Sequence, residues 1–390
     1  MNYILFDGLD RSKLFPITIT RPVADIRTGI ITIKEKWEHF LQTTISFKTE
    51  EYLSVKYPIV ISDDNILIDG SVIPTSQLVN EIEALQPNQK LQKDDFTIAY
   101  RCNGNSVVID NVTNYKVVES SSDFLKIENT WDIFKLNDNN IIADFDLLTK
   151  GRKSSIISET NHIIGNPDLI FFEYGAVAEF AYLNTTDGPI YIGKNAVLME
   201  GSKIKGPFAL CEGSTVKMGA KIYSGTTIGP HSKVGGEVSN SVILGYSNKG
   251  HEGFIGNTVI GEWCNIGADS NTSNLKNTYD FVKLWSYHKN TFINTGLQFC
   301  GLIMGDHSKC GINTMFNTGT VVGVSSNIYG AGYQRNFIPS FMWGGVAGLK
   351  PYNYNKSVEV AKAVFKRRNK TFDNVEQDIF KHLYGIAHSK

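Results

Sequence analysis

Counting in sixes from Ile192 meets a branched aliphatic eight times running: Ile192, Leu198, Ile204, Leu210, Val216, Ile222, Ile228 and Val234. The position four after each is mostly small, as at Ala196, Ser202, Ser214, Ala220, Thr226 and Ser232, with Phe208 and Val238 the exceptions. The beat returns at Phe254, Ile260 and Ile266, and again at Met304, Cys310, Phe316, Val322 and Ile328. Neither a two-residue nor a helical period gives this series. It predicts a parallel β-helix, in which each repeat supplies a short strand and a corner and three repeats close one coil. The aliphatics point inward and stack coil on coil at about 4.8 Å. The beat fails at about 240–252 and 273–300, which are predicted to be exposed loops, where function often sits. The aromatics of the second gap (Tyr279, Phe281, Trp285, Tyr287, Phe292) either pack on the prism's flank or a neighbouring subunit, or wall a ligand.

Elsewhere the pattern changes. Residues 3–6 form a short apolar strand, and 30–41 carry helix-spaced apolar residues. Strands are predicted at 58–62 and 65–69 and a helix at 75–85, while 86–130 alternate too weakly to order. Residues 131–148 read as an anchored connector. From 357 the chain is helical, with Asp373 and Glu376 as a capping box and Gly385 placed to stop the last helix. The predicted organisation is an α/β domain with connector (1–150), a β-helix (151–350) and a helical cap (351–390).

Composition narrows the classes. The chain has 390 residues and a net charge of −1, which gives no footing for nucleic acid or an anionic membrane. No apolar run approaches the 18 or so residues of a membrane span. The N-terminus lacks the look of a signal peptide. Five scattered cysteines, none in C-x-x-C spacing, point to reduced thiols and a cytoplasmic protein. Of the 35 glycines, 29 lie between 161 and 350, so tight turns concentrate where the six-residue beat is.

The candidate chemistry lies in residues 245–274, where His251 stands among glycines and Asn265 and Asn274 follow. An imidazole titrates close to neutrality and suits a general base. On the residues alone, His251 is either such a base or a corner side chain bonded to a backbone carbonyl. His231 and His307, each in a regular repeat, read as surface or subunit-facing.

The runs S-N-K-G-H, I-G-E-W-C-N-I-G-A and S-N-L resemble those of the bifunctional N-acetylglucosamine-1-phosphate uridyltransferase / glucosamine-1-phosphate N-acetyltransferase family, in a divergent bacterial branch with a shortened first domain. The resemblance implies a left-handed β-helix, a homotrimer and acetyl transfer from acetyl-CoA to an amino-sugar 1-phosphate between subunits. It makes His251 the catalytic base and Asn274 an orienting group. It makes Asn265 a sugar-phosphate contact and Ala268 an acetyl-CoA contact. Phe254 falls where the family has tyrosine. The family's phosphate-binding basic residues have no clear match, and Lys249 and Lys276 are the substitutes.

The N-terminal run D-G-L-D-R-S-K-L-F-P-I-T-I-T-R-P is a looser match to the same family's nucleotide loop. Gly8 and Arg11 are the implied nucleotide contacts, and Asp63 or Asp64 the ligand of Mg²⁺. Asp10 replaces the loop's second glycine, and no P-K pair follows. The expected protein is a sugar-phosphate transferase, with nucleotidyl transfer retained or lost in the first domain. The alternative is a trimeric β-helix that binds or assembles with degenerate sites.

Overall fold

The computed structural model describes residues 1–103, 107 and 113–389. The chain forms two compact units: residues 1–14, 20–26 and 31–128 in the first, and 15–19, 27–30 and 129–390 in the second.

The first unit is a mixed sheet with helices. Its strands are β1 (Asn2–Phe6), β2 (Ser46–Lys48), β3 (Asp64–Asp69), β4 (Gln89–Lys93), β5 (Phe96–Asn103) and β6 (Lys116–Glu119), in the order β2-β1-β3-β5-β4-β6. β1 lies parallel to β2 and β3, and β5 antiparallel to β3. Helix α1 (Ile33–Leu41) starts in a capping box, Thr32 with Glu35, and α2 (Ser76–Glu83) is capped by Thr75. Residues 58–62 are apolar enough to read as a strand, but they join no ladder; the strand beside β1 is β2 instead. The stretch 86–130 supplies β5 and β4 inside the sheet and β6 at its edge.

The second unit contains three long, mainly parallel sheets, which are the faces of a β-solenoid. The first face runs from His162–Ile164 to Phe254–Gly256, the second from Ile170–Phe172 to Phe337–Ile338, and the third from Val177–Ala178 to Gly348–Pro351. The aliphatics of the six-residue beat fill the interior: Ile192, Leu198, Ile204, Leu210, Val216, Ile222, Ile228 and Val234 are all 2% exposed or less. Each pairs with its counterpart one coil on, as Leu198 with Val216 and Leu210 with Ile228.

The first gap in the beat is a shortened coil, not an inserted loop. Leu210 pairs with Ile228, eighteen residues on, but Ile228 pairs with Ile243 and Val234 with Lys249, fifteen on. Three residues are missing from that coil, so counting in sixes loses the interior there. The second gap is a true insertion, an antiparallel hairpin of Lys283–Ser286 and Thr291–Asn294. Its Trp285 stacks on Phe337 at 4.3 Å and so lies against the prism, whereas Tyr279, Phe281 and Phe292 remain exposed on the chain.

Two short helices, α3 (Asp132–Lys135) and α4 (Asn137–Thr149), lie at the start of this unit, and α5 (Tyr354–Lys366) and α6 (Asn374–His388) end it. Asn137 Nδ2 donates to the Gly225 carbonyl at 2.8 Å and so fastens α4 to the solenoid. One corner of the prism carries a ladder of left-handed residues, His231, Tyr246, Trp263 and His307. Their rings stack, Tyr246 on Trp263 at 4.2 Å, and Phe365 of α5 covers Trp263 at 3.9 Å. His307 packs beneath α6 against Phe380, so it is not a surface residue of the chain. Asp373 caps α6 as expected, accepting from the Glu376 N–H at 3.0 Å. Gly385 does not end the helix, which runs on to His388; Tyr384 and His388 pack together across it.

Candidate functional site

Strand Asn248–Lys249 lies on the third face, and His251 follows in an exposed bend. Lys249 takes the inward position that an aliphatic holds in neighbouring coils, beside Val234, and is 1% exposed. Its ammonium donates to the carbonyls of His251 at 2.6 Å and Glu252 at 3.1 Å. The bend that presents His251 is thus fastened from inside the prism. Gly253 closes it at φ +110°, where a Cβ would collide with the Ser270 carbonyl oxygen.

Burial lowers the Lys249 ammonium to about 8, with Glu252 and Asp269 opposing. The folded value lies below the ordinary 10.5, so the charged form destabilises the fold. That penalty is whole below pH 8 and fades as pH rises toward 10.5. Lys249→Met is expected to gain melting temperature relative to wild type as pH falls from 10.5 to 8. Melts of both proteins across that range check this; a difference that does not change with pH refutes it.

His251, Asn265 and Ala268 line one cleft of about 460 Å³, together with Lys217, Lys233 and Arg367. Asn274 does not join them. It follows Asn271–Thr272, which continues the first face, and its amide donates to Asn257 Oδ1 at 2.8 Å at the next corner of the prism. Phe254 lies on that same face, its ring over Gly256. Lys276 donates to the Phe281 carbonyl at 3.1 Å within the insertion. Neither expected substitute for the missing phosphate ligands therefore reaches the cleft: Lys249 is inside the prism and Lys276 is in the insertion. The cleft's cations are Lys217, Lys233 and Arg367.

The first unit has its own cavity, about 350 Å³, at the C-terminal ends of β1 and β3, where open α/β sheets bind ligands. Gly8 and Arg11 line it with Asp7, Asp69, Tyr100 and Lys126. Arg11 is 7% exposed and held by carboxylates: its Nε is 3.0 Å from Asp7 Oδ2 and its Nη1 3.6 Å from Glu50. Asp69 Oδ1 accepts from the Ser71 N–H at 2.9 Å and hydroxyl at 2.5 Å. Its Oδ2 faces Gly8, where a Cβ would come within 2.5 Å. Burial raises the Asp69 carboxyl to about 6, against Ser71 and Lys126. Asp63 and Asp64 stand at the other end of β3. Asp64 accepts from Arg101 Nε and Nη2, each at 2.8 Å, which holds its carboxyl below the usual range.

Residues 3–153 match the family model for sugar nucleotidyl transferases. The first unit is thus nucleotidyltransferase-like, and the second is a parallel β-solenoid. The chain is similar to the bifunctional protein GlmU of Methanocaldococcus jannaschii, 33% identical over 118 residues, 30% of this chain and 26% of that protein. It is also similar to a bifunctional sugar-1-phosphate nucleotidylyltransferase/acetyltransferase of Sulfurisphaera tokodaii, 29% identical over 147 residues, 33% and 36% of the two chains. The matched region spans about a quarter of the length of the GlmU relatives. Among solved structures, the UDP-N-acetylglucosamine acyltransferase of Francisella novicida covers 59% of this chain, with 77% of its own length, at 16% identity and a TM-score of 0.27.

Among the described residues no three His, Cys, Asp or Glu side chains are grouped to hold a metal. Asp69 offers one free-facing carboxylate oxygen. That suits Mg²⁺, which one or two carboxylates and substrate phosphates commonly hold without a full protein cage. No helix of the described residues is long and apolar enough to cross a membrane. Sequence reading missed Asp69 and Lys126. Asp69 had a signal, a carboxylate closing the apolar strand I-L-I-D; Lys126, in a stretch without order, had none.

Proposed function

We propose that the chain is a cytoplasmic sugar-phosphate transferase. Its solenoid transfers the acetyl group of acetyl-CoA to the amine of an amino-sugar 1-phosphate. The observation that carries this reading is the cleft in which His251, Asn265 and Ala268 meet beside cations. The amine attacks the thioester carbonyl carbon, a C–N bond forms and the C–S bond breaks. His251 takes the amine proton and returns it to the leaving thiolate. Asn265 positions the sugar, and Ala268 leaves room for the thioester. Lys217, Lys233 and Arg367 offset phosphate charge. The protein works as a homotrimer in which a neighbouring chain supplies Asn274, since its own Asn274 sits at another corner.

The first unit joins a sugar 1-phosphate to a nucleoside triphosphate with release of pyrophosphate. Gly8 lets phosphate approach the backbone, and Asp69 would hold Mg²⁺, which would neutralise phosphate charge. Lys126 stands by as the nearby cation.

Thiol release from acetyl-CoA with a panel of amino-sugar phosphates tests the first reaction, and pyrophosphate release from UTP or dTTP with sugar 1-phosphates tests the second. Wild-type protein is expected to turn over in both. Thiol release at the blank rate across the panel ends the acetyltransferase reading.

A further inference from the structure

The His251 cleft continues into a second cavity of about 290 Å³, and the two share Lys233, Asn248, Asn265 and Arg367. The second adds Lys309 and Arg368 to its wall. Neither is lined by a carboxylate. On the first face of the same prism, lysines are matched with acids: Lys205 with Asp187 at 2.6 Å and Lys221 with Glu237 at 4.0 Å. On the third face Arg368 instead donates to the neutral Asn248 Oδ1 at 3.1 Å, and Lys309 to the His307 carbonyl at 2.8 Å.

These cations act on one another. After burial, Arg368, Lys217 and Arg367 lower the Lys233 ammonium, and Arg367 lowers the Arg368 guanidinium. A C-terminal helix end favours cations, which accounts for arginines just after α5. It does not account for Lys217 and Lys233, which come from separate coils of the solenoid, or for the absence of acids in the walls. A group of like charges in a cleft is unfavourable until an anion enters it.

We infer that the joined clefts form a site for phosphate groups, clamped between Lys217 and Lys233 of the solenoid and Arg367 and Arg368 behind α5. The site stands on its own geometry; only the choice of ligand rests on the acetyl-transfer reading. Two sources share the chemistry: the phosphates at the nucleotide end of the acyl donor, and the acceptor's sugar phosphate set beside a free phosphate. A planar guanidinium recognises either by paired hydrogen bonds.

Calorimetric titration of the full chain with CoA, dephospho-CoA, pyrophosphate and glucosamine 1-phosphate tests this at low and moderate salt. At least one probe is expected to bind wild type, more weakly as salt rises. Arg367→Gln/Arg368→Gln is expected to weaken that binding at least 30-fold, and Lys203→Gln on the first face to leave it unchanged. Without ligand the double variant should melt no lower than wild type, because repulsion is relieved. Lys217→Gln, on the solenoid side, is the second probe and should weaken binding about tenfold. Loss confined to CoA, with dephospho-CoA weaker in wild type, assigns the donor; loss of glucosamine 1-phosphate assigns the acceptor. The inference falls if no probe binds wild type, or if both variants bind as wild type does. A chain that binds through these residues but releases no thiol keeps the site and loses the acetyltransferase reading.

Discussion

His251→Ala is expected to lower turnover in acetyl transfer by 10²- to 10⁴-fold, the range for losing a positioned general base. The melting temperature should stay where it is. The residue is exposed, and what fastens its bend to the prism is its backbone carbonyl, held by Lys249, which alanine retains. Surface substitutions of this kind usually change stability by less than about 0.5 kcal/mol. KM for either substrate should move little, because the proposed mechanism leaves binding to Asn265 and the cations. Thiol-release kinetics beside thermal melts give both readouts. A variant with wild-type turnover places the base elsewhere; a variant that loses turnover and melts early shows that the bend, not the imidazole, was disturbed.

The parts of the fold set by local repetition were readable from the chain. An inward aliphatic at every sixth residue is a demand of the prism itself, so eight coil positions announced the solenoid. The shortened coil hid itself, because its inward residues Val238 and Ile243 fall out of step with the count of six and the next, at 249, is a lysine. A long stem and a charged head read as surface in any hydropathy pattern, yet here the stem fills an aliphatic position and the head reaches backbone carbonyls. The same effect turned three missing residues into an expected loop. Site residues that follow each other closely, His251, Asn265 and Ala268, were named and do share a cleft. The basic run Lys366-Arg367-Arg368 reads from the sequence as a solvated face or a phosphate contact, but nothing ties it to this cleft, since it comes more than a hundred residues later and no period links a helix end to a coil. In the first unit the sequence offered two turn aspartates at 63 and 64 and a strand-ending aspartate at 69. The choice between them is made by which end of β3 opens on the cavity, and that depends on strand direction in the assembled sheet.

Asp69→Asn is expected to push stability and activity in opposite directions. The Asp69 carboxyl is raised to about 6 from an ordinary 3.8, chiefly by burial. Below pH 3.8 both folded and unfolded chains hold the proton and nothing is lost. Between 3.8 and 6 the unfolded chain releases it first, so stability falls as pH rises, and above 6 the penalty is complete. Two pH units at about 1.4 kcal/mol each make it roughly 3 kcal/mol at neutral pH. Asparagine keeps an oxygen for the two bonds from Ser71 and carries no charge. The variant should therefore unfold at higher denaturant than wild type at pH 7.5, with the gap closing by pH 4. Pyrophosphate release should fall at least 10²-fold, the scale for removing one electrostatic partner from a phosphoryl centre. Wild-type stability with full activity in the variant would leave Asp69 an ordinary turn residue, its Ser71 bonds closing the strand. A stable and inactive variant would mean that the fold tolerates a buried charge that only a ligand compensates. Within this cavity Gly8 is the neighbour that leaves such a ligand room: any side chain there would cover Asp69 Oδ2.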